Sequence, residues 1–322
     1  MAVSVTKTKD SQRSLAAAIS SSQSSLADLI TRHLAHDGAQ ATAIPRLNLL
    51  RASQLTVPLP VVYEPAVCLV AQGHKQVILA KQSYIYGPEQ YLVTSVDLPV
   101  IGQVIDATPT KPYLCVRLDL DPAQLSALLM ETEPTSASSP TTGTLELGLA
   151  VVPIEQLLLD ATLRLLRLLD TPRDIPILAP LIEREILYRL LSGPYGARLR
   201  QIALADARLL SVNRAIHWLK HNYAEPFRME TLAREARLSA SALHHYFKSV
   251  TALSPLQYQK RLRLQEARRL MLGQALDAAT ASQSVGYESP SQFSREYSRL
   301  FGAPPARDIA RLKEAAGATA ES

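Results

Sequence analysis

The chain of 322 residues is long enough for two domains with separate cores. At 47% apolar and 20% charged it is globular in composition, no apolar run approaches the roughly 18 to 20 residues that span a bilayer, and two cysteines, Cys68 and Cys115, are too few for a disulfide framework. The net charge of +5 is unevenly spread: residues 213–313 hold sixteen Lys and Arg against eight Asp and Glu, leaving −3 elsewhere, which favours a polyanionic partner for the C-terminal part.

The opening MAVSVTKTKDSQRS lacks the apolar core of a signal peptide, so a cytoplasmic location with no membrane partner is expected. Residues 1–24 are polar and serine-rich and read as a disordered leader. Order is expected from Ser25, where Leu26, Leu29, Ile30 and Leu34 form a helical face that stops near Gly38. From Pro45 the period becomes that of strands: LNLLRAS, AVCLVAQG, KQVILA, QYLVTSVDL, GQVIDA and YLCVRLDL, separated by turn residues, predict a small antiparallel barrel or sandwich over residues 45–120. A helix, PAQLSALLM, and a Pro/Ser/Thr-rich loop, ETEPTSASSPTTG, follow.

Two leucine-dense helices come next. The first, Ile154 to Asp170, lines up Leu157, Leu158, Ala161, Leu165 and Leu168; the second runs to Gly193 with Leu181, Ile182, Ile186, Leu190 and Leu191. Such a pair can cover the sheet, meet a second subunit, or do both.

The C-terminal part starts with a helix from Leu209 to Tyr223 that turns Ile216, Leu219 and Tyr223 inward. In METLAREARLSASALHHYFKSV, a short helix burying Leu232, Ala233 and Ala236 is followed by a turn and by Ser239 as N-cap. The next helix buries Leu243, Phe247 and Val250, which turns Ser241, His244, His245 and Lys248 outward: a helix-turn-helix. The pattern repeats. Leu276 to Ala281, the turn Val285-Gly286-Tyr287 and the Ser289-Pro290 cap lead into a helix with Phe293, Tyr297 and Leu300 inside and Ser291, Gln292 and Arg295 outside. Between the copies QKRLRLQEARRLML reads as a helix with Leu264, Ala267 and Met271 on one side and Lys260, Arg261, Arg263, Arg268 and Arg269 around the rest.

The words LAREARLSASALHHYFKSVTALSPLQYQKRLRLQEARRL and VGYESPSQFSREYSRLFGAPP resemble the AraC/XylS family of bacterial transcription regulators. YEPAVCLVAQGHKQV, YLVTSVDLPV and APLIEREILYRLLSGP resemble the cupin-like sensor domain of one branch of that family. The resemblance implies an α+β chain: an N-terminal small β-barrel (cupin-like) with flanking helices, and an all-α DNA-binding domain with two helix-turn-helix motifs. The corresponding boundaries are a sensor and dimerisation domain at 25–194, a linker at 195–208, a DNA-binding domain at 209–313 with motifs near 229–250 and 276–301, and a tail at 314–322. The implied function is sequence-specific transcription regulation answering a small organic effector. Double-stranded DNA, RNA polymerase and a second copy of the chain are the implied partners. Ala252, where the family usually has glycine, and Ser282, inside an otherwise apolar helix, depart from the pattern.

Carried over position by position, the base-reading residues are Ser241, His244 and His245 in the first motif and Ser291, Gln292 and Arg295 in the second. Arg295 suits guanine and Gln292 adenine, while Lys248 and Arg299 suit phosphates. The two recognition helices should enter major grooves one turn, about 34 Å, apart. His217 and His221 have zinc-compatible spacing without a third ligand, and His74 is the only histidine between Pro45 and Pro194. No catalytic set, metal or cofactor is therefore expected. Cys68 and Cys115 read as core thiols or, alternatively, as sensors of electrophiles. Tyr63, Tyr84, Tyr86, Tyr91 and Arg117 suit either a pocket or ordinary strand positions, so the effector site stays unassigned. The rival functions are an effector-independent DNA-binding regulator and a cupin-type enzyme with a DNA-binding tail.

Overall fold

The computed structural model describes residues 2–131, 147–196, 199–200 and 207–320. The chain divides into two units, Met1–Leu209 and Leu210–Ser322. The loop expected from Glu131 and most of the 195–208 linker lie outside the described residues.

The first unit opens with α1 (Ala2–His33), so the leader expected to be disordered at 1–24 is helical from Ala2 onward. The segment contains neither glycine nor proline. Leu26 and Ile30, both at 0% exposure, dock its C-terminal turns, and a helix nucleated there extends back one hydrogen bond per residue. Ser25, where order was expected to begin, consequently lies inside the helix.

Among the described residues ten strands follow: β1 (Gly38–Ala41), β2 (Leu47–Ala52), β3 (Leu59–Tyr63), β4 (Ala66–Gln72), β5 (His74–Leu79), β6 (Gln82–Tyr86), β7 (Gln90–Thr94), β8 (Leu98–Asp106), β9 (Tyr113–Asp119) and β10 (Leu149–Pro153). They form two antiparallel sheets, β1-β2-β9-β4-β7-β10 and β3-β8-β5-β6. The β region extends beyond 45–120 at both ends, because β1 adds an all-exposed edge with no alternation to read and β10 pairs with β7 from across a long connection. Helix α1 packs on β4 and β9 from one side. On the other side Lys75 of β5 reaches across to Tyr113 of β9, with its Nζ 6.0 Å from the ring centre, so the two sheets face each other. With both faces covered, β9 reads as a continuous apolar run: Tyr113, Leu114, Cys115 and Val116 are all buried.

The helices α2 (Pro122–Glu131), α3 (Gln156–Arg167) and α4 (Ile175–Ser192) also belong to this unit. α3 packs between α1 and α4 and buries Leu158, Leu159, Ala161, Leu163, Leu165 and Leu166. Leu157, expected in that stripe, is 56% exposed, since two flanking helices cover the faces on either side of it and leave its own face open. On α4, Ile177, Leu181 and Tyr188 point to solvent at 70%, 61% and 49% exposure.

The second unit is all helical: α5 (Ala207–His221), α6 (Met229–Ala236), α7 (Ala240–Thr251), α8 (Pro255–Gly273), α9 (Ala278–Ser284), α10 (Pro290–Phe301) and α11 (Pro305–Ala320). The region expected as a tail continues α11 to Ala320. Helix starts follow local chemistry: Ser239 accepts from the Ala242 amide, Ser254 and Gln257 form a capping box ahead of Pro255, Asp277 accepts from Ala279 and Thr280, and Ser289 accepts from Gln292. Ser282 is fully buried, and its hydroxyl donates to the Ala279 carbonyl, so its polar atom is satisfied.

Ala252 closes α7 in the left-handed region, at φ 58° and ψ 7°. A Cβ there costs about 1–2 kcal/mol, partly offset by the unfolded-chain entropy that glycine adds. Ala252→Gly should therefore stabilise the second unit by about 0.5–1 kcal/mol. Thermal unfolding checks this: an unchanged or lowered midpoint would mean the alanine carries no strain.

Candidate nucleic-acid interface

The two helix-turn-helix motifs are α6–α7 and α9–α10. In α7, Leu243, Phe247 and Val250 are buried, and the Phe247 ring meets Tyr258 of α8 edge-on at 5.3 Å. That fixes the opposite face. Ser241, His244, His245 and Lys248 are all exposed. In α10, Phe293 and Tyr297 anchor a core shared with Leu264, Ala267, Met271, Ala281, Val285 and Tyr287, leaving Ser291, Gln292, Arg295 and Arg299 exposed. Among the described residues Lys248, Arg295 and Arg299 have no carboxylate partner, so these cations are free to meet an anion. Gln292 differs: its Nε2 donates to Glu296 at 3.1 Å.

Glu296, which the sequence pattern did not single out, is the acceptor that holds Gln292. Its carboxylate also takes Lys260 Nζ at 2.5 Å and the Tyr287 hydroxyl at 2.8 Å, tying α10 to α8 and to its own turn. Burial alone would raise its pKa, but bonds from Lys260, Gln292 and Tyr287 outweigh it and hold the carboxyl below its usual value. Gln292 is thus presented on an oriented, ionised support.

The basic helix α8 requires a correction, because much of its charge is turned inward. Arg268 is 5% exposed and makes a two-pronged bond to Asp308, at 2.8 and 2.9 Å, beneath the Phe301 ring. Arg263 donates to the carbonyls of Tyr223, Ala224 and Glu225 near the first motif and of Gly286 in the second. Gln259 joins it on Tyr223 and Glu225. Arg269 pairs with Glu266. Instead of presenting a uniformly basic face, α8 braces the two motifs through backbone carbonyls that would otherwise lack partners.

His217 and His221 stack at 4.2 Å on α5, and no group of three potential metal ligands occurs among the described residues. Among the described residues no helix is long and apolar enough to cross a membrane. In the first unit, Tyr63 and Tyr86 face the space between the sheets, while Tyr84 bonds Gln82 and Arg117 pairs with Glu64 and Asp119.

Comparison with known proteins accords with this division. Residues 43–198 match the family model of the AraC-type transcriptional regulator N-terminus, and residues 232–311 match a helix-turn-helix domain. The chain is 33% identical over 140 residues to the HTH-type transcriptional activator RhaS of Escherichia fergusonii, covering 43% of this chain and 49% of that protein. The RhaS of Citrobacter koseri is 32% identical over 144 residues, 44% of this chain and 49% of that one. The chain thus spans about half the length of the curated relatives it matches. Among solved structures, ToxT of Vibrio cholerae strain SCE256 with a bound unsaturated fatty acid superposes with a TM-score of 0.52 at 12% identity, covering 82% of this chain and 94% of that one. ToxT of strain O395, bound to (E)-4-(8-methylnaphthalen-1-yl)but-3-enoic acid, gives 0.54 at 12%, covering 86% and 100%. The likeness extends to the fold of both units. With a sensor-type N-terminal region and a helix-turn-helix region matched in the same order, the chain belongs to the AraC family of transcriptional regulators.

Proposed function

We propose that this chain regulates transcription by binding a specific duplex site with α7 and α10 in successive major grooves. One observation carries the reading: both helices are capped, packed on one face and bare on the other, with uncompensated cations at Lys248, Arg295 and Arg299. Ser241, His244, His245, Ser291, Gln292 and Arg295 read bases; Lys248 and Arg299 hold phosphates. The first unit takes a small organic effector, as ToxT takes a fatty acid, and RNA polymerase is the downstream partner. The names of the RhaS relatives favour this over a cupin-type enzyme.

Arg295→Ala should weaken cognate-site binding by about 1–3 kcal/mol and random-duplex binding far less. Fluorescence anisotropy at fixed salt reads both. Equal losses would make Arg295 a backbone contact.

The apolar row Ile177, Leu181 and Tyr188 repeats at helical spacing along α4 and suits a second copy of the chain, the two-fold contact commonest among soluble oligomers. A dimer at micromolar concentration that dissociates in Leu181→Glu, measured by sedimentation, is the expected result. A wild-type monomer removes this interface.

A further inference from the structure

Between the two sheets lies a cluster of reactive groups that DNA binding does not use. Strand register puts Cys68 opposite Arg117 and Val70 opposite Cys115, so the two thiols project from one sheet face as diagonal neighbours. Facing them, Lys75 stands on the inward parity of β5 with Val77 and Leu79, its Nζ 5.4 Å from the Tyr63 ring centre and 6.0 Å from that of Tyr113. The hydroxyls of Tyr63 and Tyr113 are buried and make no hydrogen bond of normal geometry among the described residues. Cys68 and Lys75 nevertheless keep accessible surface, while the neighbours of Cys68 on this central strand, Val67 and Leu69, are at 0% and 1%. The side chains of Cys68 and Lys75 point into the interior between the sheets. Gly102 on β8 helps to leave it open: a Cβ there would stand 3.2 Å from the Tyr63 hydroxyl and 3.5 Å from Lys75 Cε.

The charge balance narrows what the space can receive. A buried ammonium without a counter-charge is costly. The acidic groups that act most strongly on Lys75 are Tyr63 and the two thiols. Hydrogen bonding from Cys115 outweighs burial and, with Lys75 and Arg117 nearby, lowers the Cys68 thiol below its usual value, while Cys115 rises well above it. Cys68, which keeps accessible surface where Cys115 is 1% exposed, is therefore the member of the pair open to an electrophile. An anion-binding pocket would have no use for a thiolate beside its cation. A thiol beside an ammonium and two buried phenol hydroxyls is an arrangement that suits conjugate addition.

We propose that Cys68 covalently captures a small α,β-unsaturated carbonyl compound whose oxygen is held by Lys75, Tyr63 and Tyr113. The Cys68 Sγ bonds to the β-carbon, and the alkene π pair moves onto the carbonyl oxygen, forming an enolate held by the ammonium and the hydroxyls. The proton released by the thiol then returns to the α-carbon. The adduct is protein plus electrophile, with no oxidant or reductant consumed. The regulatory consequence rests on the proposed sensor role of this unit; the capture itself does not.

Full-length protein treated with methyl vinyl ketone and followed by intact and peptide mass spectrometry tests this, with iodoacetamide as a thiol reagent that builds no enolate. Wild type should gain one adduct, on Cys68, and Cys68→Ser none. Lys75→Met, or Tyr113→Phe should the former fail to fold, should slow the enone at least about tenfold and iodoacetamide much less. An adduct on Cys115, equal slowing with both reagents, or a rate no faster than in the urea-unfolded chain overturns the proposal. So does hydrogen peroxide oxidising the pair to a disulfide faster than the enone adds. Operator binding is measured on the same samples: its absence beside a normal Cys68 adduct sinks the regulator reading alone, and normal binding without the adduct sinks this one alone.

Discussion

Asp308→Ala is expected to destabilise the second unit by about 3–5 kcal/mol. Asp308 is fully buried and accepts from four directions: the two prongs of Arg268, the Tyr297 hydroxyl at 2.9 Å and Arg311 at 3.0 Å. Its removal leaves the Arg268 guanidinium enclosed by Phe301 and the shared core without a counter-charge. Tyr297 loses its acceptor too, and its phenol, which burial and Asp308 hold far above the usual range, cannot ionise to compensate. The penalty comes from what is left behind, so Arg268→Met combined with Asp308→Leu should recover most of it. Trp218, the chain's only tryptophan, lies in α5 and reports denaturant unfolding of this unit by fluorescence. A loss below about 1 kcal/mol for Asp308→Ala would mean that the aspartate is not holding a buried charge.

How much of this was legible in the sequence depended on the range of the interactions involved. Ser239, Ser289 and Pro290 announce helix starts because a cap is satisfied within three residues, and the buried triplets Leu232, Ala233, Ala236 and Leu243, Phe247, Val250 follow from helical period alone. The arginines of α8 did not yield to the same treatment. Five basic residues distributed around a helix look equivalent in sequence; what turns Arg268 inward is an aspartate forty positions later, and what occupies Arg263 is a set of carbonyls on two separate loops. In the first unit the β-sheet class was readable from period-two runs, whereas β1, short and exposed on every residue, gave no alternation to read. Lys75 could have been noticed, since a lysine on the same parity as Val77 and Leu79 sits on the buried face of its strand. Its phenol and thiol neighbours come from β3, β4 and β9, so their convergence is a product of topology alone.

Gly286→Ala should cost about 3 kcal/mol or more, combining left-handed strain with overpacking. Gly286 has φ +84°, and a Cβ on it would stand 2.0 Å from the Ala224 carbonyl oxygen and 2.8 Å from its carbon, so backbone must move to admit a methyl group. The position matters because it is where the halves of the interface meet. The Gly286 carbonyl accepts Arg263 Nη1 at 2.7 Å, while the same guanidinium holds the loop of Tyr223, Ala224 and Glu225 ahead of the first motif. Pushing Gly286 off that loop breaks the brace and alters the spacing of α7 and α10, which a site spanning two grooves cannot accommodate. Cognate binding should fall by more than in Arg295→Ala, and truncating Ala224 to glycine should not restore it, since the obstruction is a carbonyl and not a side chain. Anisotropy titrations together with Trp218 fluorescence decide the matter: full cognate affinity in Gly286→Ala would mean the two motifs act on DNA independently, with α8 a tether and not a brace.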